Sequence, residues 1–160
     1  MLTNKAQAFT YDFFIALGIF FVVMILVMGN WYFSAVQTQE TMEKNLAYNI
    51  LLSASQVWFK EGFPKYWNVD NIVELGLSND GKINETKMEM LNNSIGYPKA
   101  TLLLNLGNFN LCYEIYDKTG NLIFRFPQNA DLNSAKNIYK IERIGILNEQ
   151  PVKVRTLIWN

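Results

Sequence analysis

From Phe13 to Gln39 the chain carries no charged side chain over 27 residues, and within residues 13–36 every side chain except Gly18, Gly29, Asn30 and Ser34 is apolar. As a helix rising ~1.5 Å per residue, the charge-free run is about 40 Å long. A bilayer's hydrocarbon core is roughly 30 Å thick, so the run can cross it. The competing reading is a buried core helix, but such a helix is rarely apolar on every side for this length in so small a protein. Trp31, Tyr32 and Phe33 fall at the far end of the run, where amphipathic rings favour the membrane–water interface. The preceding flank holds the terminal amine, Lys5 and Asp12. That positive flank is expected to stay cytoplasmic and the remaining chain to face outside.

The whole-chain averages conceal this division. Half of the 160 residues are hydrophobic, yet beyond the apolar run the proportion returns to that of an ordinary globular domain, and about 120 residues suffice for one core but not two. From Glu40 onward 13 basic and 13 acidic side chains cancel, so the electrostatic footprint of a nucleic-acid binder or a polybasic lipid tail is missing. Nucleic acid is not an expected partner. Cys112 is the only cysteine and histidine is absent, so neither an internal disulfide nor a Cys/His zinc site can be built. No nucleophile elbow, Gly-rich phosphate loop or acidic metal loop is present. The expectation is a protein that is not an enzyme, with no catalytic, cofactor-binding or metal residues.

No Gly or Pro separates the apolar run from Gln37-Thr38-Gln39-Glu40, and apolar residues then recur at Leu46, Ile50, Leu51, Ala54, Val57 and Trp58. That three-to-four spacing describes one helical face. It predicts a single helix from about residue 10 to Phe59, ending before Gly62 and Pro64, whose outer part lays its stripe on the globular domain. A coiled-coil dimer would need more heptads, and Ala47 and Tyr48 make the stripe too broad for it. Trp58, Phe59, Phe63, Tyr66 and Trp67 then crowd together, either packing the helix end onto a sheet or forming an exposed partner-binding patch; packing is the expectation.

Further on, Asn79-Asp80-Gly81 marks a turn, Asn84 can cap a short helix through about Leu91, and Pro98 suits the first turn of another that Gly107 closes. Phe109, Leu111, Tyr113 and Ile115 alternate with Asn110, Cys112 and Glu114. Asp117-Lys118-Thr119-Gly120 then turns the chain into Leu122-Ile123-Phe124-Arg125-Phe126, which makes a hairpin. A second hairpin is expected over residues 138–147 and 152–159. The predicted fold class is α+β, a long N-terminal helix (transmembrane, then amphipathic) packed on a C-terminal four-stranded antiparallel sheet.

A secretory signal peptide is a poor match, since the apolar run exceeds its usual 7–15 residues and Phe33 stands where the cleavage site near Ala35 needs a small residue. Ahead of the run, Lys5-Ala6-Gln7-Ala8-Phe9-Thr10-Tyr11-Asp12-Phe13-Phe14 resembles the class III signal peptide of archaeal type IV pilin-like proteins. The resemblance implies cutting by a prepilin peptidase, with Lys5 as the basic residue, Ala6 as the small residue at the cut and Gln7 as the new N-terminus. Alanine stands there in place of the commoner glycine, and Asp12 becomes sixth in the trimmed chain where many pilins carry an acidic residue fifth. Two roles for Asp12 stand side by side: a carboxylate in the helix's first turn favoured by the macrodipole, or an assembly charge neutralised by a neighbouring subunit's terminal amine. Gly62-Phe63-Pro64-Lys65-Tyr66-Trp67, with Leu75-Gly76-Leu77 and Lys82-Ile83-Asn84, also resembles a pattern in archaeal class III signal-peptide proteins.

The family implies a leader (1–6), a transmembrane or filament-core helix segment (7–36) and an extracytoplasmic pilin-like head (37–160). It also implies a single-pass location in the cell membrane, or an extracellular filament once assembled, with lipid, the prepilin peptidase and other pilins as partners. The alternative is a single-pass membrane protein whose outer domain binds or senses without polymerising. Asn84-Glu85-Thr86 and Asn92-Asn93-Ser94 are candidate N-glycosylation sites, although two sequons are about what chance supplies in a chain with 19 asparagines. Cys112 is expected to be a small packed residue rather than a reactive thiol. Gly18 and Gly29 are too far apart to make a GxxxG contact.

Overall fold

The computed structural model describes residues 3–133 and 135–160, with side chains from Tyr11 onward. Helix α1 spans Thr3–Gln56, α2 Glu85–Met90 and α3 Gly96–Leu103, with one π-helical turn, Leu91–Ile95, joining the last two. Six strands, β1 (Ser78–Asn79), β2 (Lys82–Ile83), β3 (Asn110–Tyr116), β4 (Leu122–Phe126), β5 (Ile138–Leu147) and β6 (Gln150–Trp159), form one sheet in the order β1-β2-β5-β6-β3-β4. The class is α+β with a long N-terminal helix, as expected. The chain divides into two units, Met1–Lys44 and Asn45–Asn160.

In the first unit α1 is a continuous helix with no competing element. It starts at Thr3 rather than near residue 10, because nothing in residues 3–12 is a helix breaker. It is long and apolar enough to span a membrane, and no part of its most apolar window is buried.

In the second unit the last turns of α1 and the turn that follows them bury Ala47, Leu51 and Ala54, then Val57 and Trp58, in one core cluster with the inward-facing side chains of β3 and β6. The buried stripe runs through Ala47, not Leu46, which is 56% exposed. Steps of four and three from Ala47 reach Leu51, Ala54 and Trp58, whereas Leu46 lies about 100° round the helix. Two buried hydrogen bonds fix the register of helix on sheet: Tyr113 Oη donates to the Ala54 carbonyl at 2.8 Å, and Trp58 Nε1 donates to Thr156 Oγ1 at 3.0 Å. Trp58 also meets Tyr113 edge-on, with ring centroids 5.0 Å apart. The helix stops at Gln56, three residues before the expected end, and Val57 to Phe59 form a turn held by bonds back to Ala54 and Gln56.

The sheet is mixed and six-stranded, which corrects the expectation of four antiparallel strands. The two expected hairpins are present, β3–β4 and β5–β6, and β3 lies antiparallel against β6 between them. The additions are β1 and β2, two residues each, joined through Asp80 and Gly81 at positive φ, with β2 parallel to the end of β5 through Ile83 and Leu147. The turn signal at Asn79-Asp80-Gly81 was legible. The strands beside it were not, because two residues are too few to display a period of two.

Burial also departs from simple alternation. Leu111 to Ile115 are all buried, since the connection between β4 and β5 covers the outer face with Ala130, Leu132 and Ala135 against Cys112, Leu157 and Trp159. Farther along that face a row of alternating charge crosses four strands. Arg125 meets Glu114 at 3.4 Å, Glu114 meets Arg155 at 3.2 Å and Arg155 meets Glu142 at 2.8 Å. Each pair sits directly opposite in register, the arrangement in which cross-strand ion pairs contribute most. Burial of Glu114 is therefore matched on both sides by a guanidinium.

The β3–β4 turn is closed by Asp117, whose Oδ1 accepts from the Thr119 hydroxyl and from the backbone N–H groups of Thr119 and Asn121. These bonds, that of the Thr119 hydroxyl foremost, hold the carboxyl down to about 2 from its ordinary 3.8. Because the folded state binds this proton less readily than the unfolded chain, the stabilisation is complete above 3.8 and is lost as pH falls toward 2. We expect Asp117→Ala to lower stability by a constant amount above that window and by a shrinking amount within it. Acid titrations of wild type and variant followed by circular dichroism check this, and a pH-independent difference would refute it.

Candidate functional site

Two places carry the residues singled out in the sequence. The first is the stem. Phe13, Phe14, Ile15 and, apart from half-buried Leu17, the large apolar side chains that follow stand exposed around α1, as do Trp31, Tyr32 and Phe33 at the far end of the apolar run. Lys5, Ala6 and Gln7 fall within the helical backbone, but their side chains lie outside the described residues. Asp12 is exposed and nine residues in from Thr3. That places it beyond the first turn, where the macrodipole acts, so the first-turn expectation does not hold for the untrimmed chain. Cutting after Ala6 would make it the sixth residue, about one and a half turns from the new amine. Chemically the stem is an apolar cylinder with one carboxylate near its beginning.

The second place is the loop after α1, where the glycine- and aromatic-rich segment makes a tight crossing. Phe63 pairs with Glu74 in an isolated antiparallel bridge. Trp67 Nε1 donates to the Gly76 carbonyl at 2.9 Å, and the Ser78 N–H donates to the Lys60 carbonyl at 2.9 Å. Gly62 takes φ +78°, and a side chain there or at Gly76 would strike backbone atoms. Lys65 bridges Asp80 at 3.0 Å and Glu61 at 3.3 Å.

Lys87, only 3% exposed, reaches in from α2 and donates through Nζ to the carbonyls of Glu61 and Ser78. Burial pushes its ammonium below the ordinary lysine range, and the nearby Glu61 carboxylate opposes that shift. The ammonium thus acts as an internal tie between two loop strands. Of the aromatic cluster, Trp58 and Trp67 are buried, while Phe63 and Tyr66 are exposed. Packing is correct for the tryptophans, and the other three rings, Phe59 among them, remain at the surface.

The remaining candidates are placed as follows. Asn84 precedes α2 and its Oδ1 accepts from the Lys87 N–H at 3.0 Å, as a helix cap does. Asn92 sits inside the π-helical turn. Cys112 is buried and free, and burial raises its thiol pKa. That is the environment of an inert packed residue. No group of three or more His, Cys, Asp or Glu converges on a metal-sized site among the described residues. Lys87, the Glu114–Arg155 row and the closeness of Gly62 to Gly76 were not legible, because each depends on partners far apart in the chain. Leu75-Gly76-Leu77, a glycine flanked by two core side chains, was the one local hint.

No family model, no curated protein and no solved structure matches the chain.

Proposed function

We propose that the chain is a pilin-like structural subunit, major or minor, of an archaeal type IV pilus-like surface filament. In this reading a prepilin peptidase cuts between Ala6 and Gln7. The observation that carries the proposal is the stem: a charge-free helix, exposed and apolar on every side, continuous with a helix end that packs into a folded α+β head. Such a stem is stable in lipid or among copies of itself and unstable in water. One segment can therefore serve as an anchor before assembly and as filament core afterwards. Trp31, Tyr32 and Phe33 suit the outer interface in the first state. In the second, Asp12 faces the new amine of a neighbouring Gln7, which would offset the cost of a carboxylate in an apolar bundle.

The deciding measurement is the mature N-terminus of the protein taken from its own cells. We expect a chain that begins at Gln7, by intact mass and N-terminal sequencing. A chain retaining Met1, or one beginning near Val36, would overturn the reading. Shearing the cells then separates a filament subunit, which sediments with the sheared material, from a non-polymerising single-pass protein, which stays with the detergent-soluble membrane fraction.

A further inference from the structure

One concave site in the head combines apolar walls with polar groups that the fold leaves unused. A cavity of about 460 Å³ opens where the start of α3, the start of β3, the end of β6 and the connection leaving β4 meet. That size lies within the ~300–1,000 Å³ of small-molecule sites. Pro98, Pro127 and the rings of Tyr97 and Trp159 supply its apolar walls. The walls are fixed in place. Tyr97 Oη accepts from the Leu111 N–H at 2.9 Å and donates to Asn110 Oδ1 at 3.3 Å, and Trp159 is only 5% exposed, packed under the β4–β5 connection.

Three polar side chains, Asn110, Asn129 and Asp131, line the same cavity and are exposed. Asn110 keeps its Nδ2 free, and Asn129 makes no side-chain hydrogen bond among the described residues. Asp131 commits only Oδ1, which accepts from the Asn133 N–H at 2.9 Å. Trp159 Nε1 also has no partner among the described residues and is not sealed from solvent. With the rest of its ring covered, the indole offers the cavity its N–H edge rather than its face.

These groups select the chemistry of a ligand. No Lys or Arg lines the cavity and its one charge is the Asp131 carboxylate, so an anion would be repelled. A cation would meet the positive edge of the indole instead of an open π-face. Amides that both donate and accept, beside a carboxylate acceptor and an indole donor, match a neutral ligand whose own groups also do both. Sugar hydroxyls have that property, and the C–H faces of a sugar ring suit walls of proline and tyrosine. We propose that this cavity binds a neutral saccharide. Asp131 and Asn129 accept from its hydroxyls, Asn110 Nδ2 and Trp159 Nε1 donate to its oxygens, and Tyr97 and Pro98 lie against its C–H face. The proposal goes beyond the structural role given above and does not depend on it, because binding by the purified protein is independent of leader cutting and of assembly.

The test uses the full-length chain in a polyoxyethylene detergent, which carries no sugar headgroup. The probes are the methyl glycosides of glucose, galactose, mannose and N-acetylglucosamine, with sulfate and tetramethylammonium as charged comparisons. Calorimetry is expected to find at least one glycoside bound at one site and neither ion bound as well. In nitrogen–proton spectra that glycoside is expected to move one of the four indole signals, the one that disappears in Trp159→Phe. The indole N–H groups of Trp58 and Trp67, already bonded inside the head, are expected to stay where they are. Asp131→Ala and Asn110→Ala, both at exposed positions, are each expected to weaken binding about tenfold or more without changing the Tm. Gln128→Ala, outside the cavity, is expected to bind as wild type does. The proposal is overturned if no glycoside binds, if an ion binds better, if the Trp159 signal stays still, or if both cavity variants bind normally.

Discussion

A chain beginning at Glu40 is expected to be soluble without detergent and to unfold in one cooperative transition, whereas the full-length chain is expected to require lipid or detergent. Among the described residues every buried core side chain lies at or beyond Ala47, so the cut removes none of them. It removes the exposed apolar side chains from Phe13 to Val36, a patch far beyond the few hundred Å² that soluble monomers tolerate. The new helix end begins Glu40-Thr41-Met42-Glu43, and carboxylates in a first turn are favoured there by ~0.3–1 kcal/mol each. Sedimentation velocity in detergent-free buffer, with urea unfolding followed by tryptophan fluorescence, checks the result. Aggregation of the shortened chain, or its failure to fold, would mean that the stem is needed for the head's integrity.

Within that head the largest single-residue effect is expected at Gly76. A Cβ placed there would stand 2.1 Å from the Gly62 nitrogen and 2.5 Å from both the Glu61 carbonyl carbon and the Lys60 carbonyl oxygen. All three are backbone atoms, which cannot rotate away as a side chain can. Relief requires the two loop strands to part, which would strain the Trp67–Gly76 bond, the Ser78–Lys60 bond and the two carbonyl bonds of Lys87. Separated from those carbonyls, the Lys87 ammonium would be left buried and unpaired, itself a severe cost. We therefore expect Gly76→Ala to lose more than ~4 kcal/mol, the range reserved for a named structural failure.

Gly145→Ala is the internal control. Its Cβ would approach Ile83 Cδ1 at 2.7 Å, the flexible end of a side chain, and the expected cost is roughly 1–3 kcal/mol. Urea midpoints of the two variants in the shortened chain measure the difference. Equal losses, or a Gly76→Ala protein close to wild type, would show that the crossing can open without penalty.

Local signals account for what could be read from the sequence. The charge-free run, the three-to-four stripe through Leu51, Ala54 and Trp58, the Asp117–Gly120 turn and the alternation in β3 each lie within a few turns or one hairpin. So does the Asn84 cap, three residues from the N–H it accepts. Where reading failed, a neighbour distant in sequence intervened. Glu114 looked like a solvent-facing alternate of β3, yet Arg125 and Arg155 enclose it. Cys112 on the same outer face is packed as expected, but what packs it, Ala130, Leu132 and Ala135, could not be read locally. Leu46 looked like part of the helical face, but the surface that selects the face is formed by β3 and β6, which lie more than sixty residues away.

The sequence by itself determined that there is an apolar stem long enough for a bilayer, one helix running out of it, and two C-terminal hairpins, because helix and hairpin periodicity and membrane length are properties of contiguous residues. Tertiary structure alone decided that the sheet has six strands, that β2 joins it in parallel, and that Gly62 and Gly76 meet backbone to backbone. It also decided that Lys87 ties the loop to α2. Each of these is a contact or orientation set by chain segments brought together only on folding, and no short window of sequence contains all of the partners.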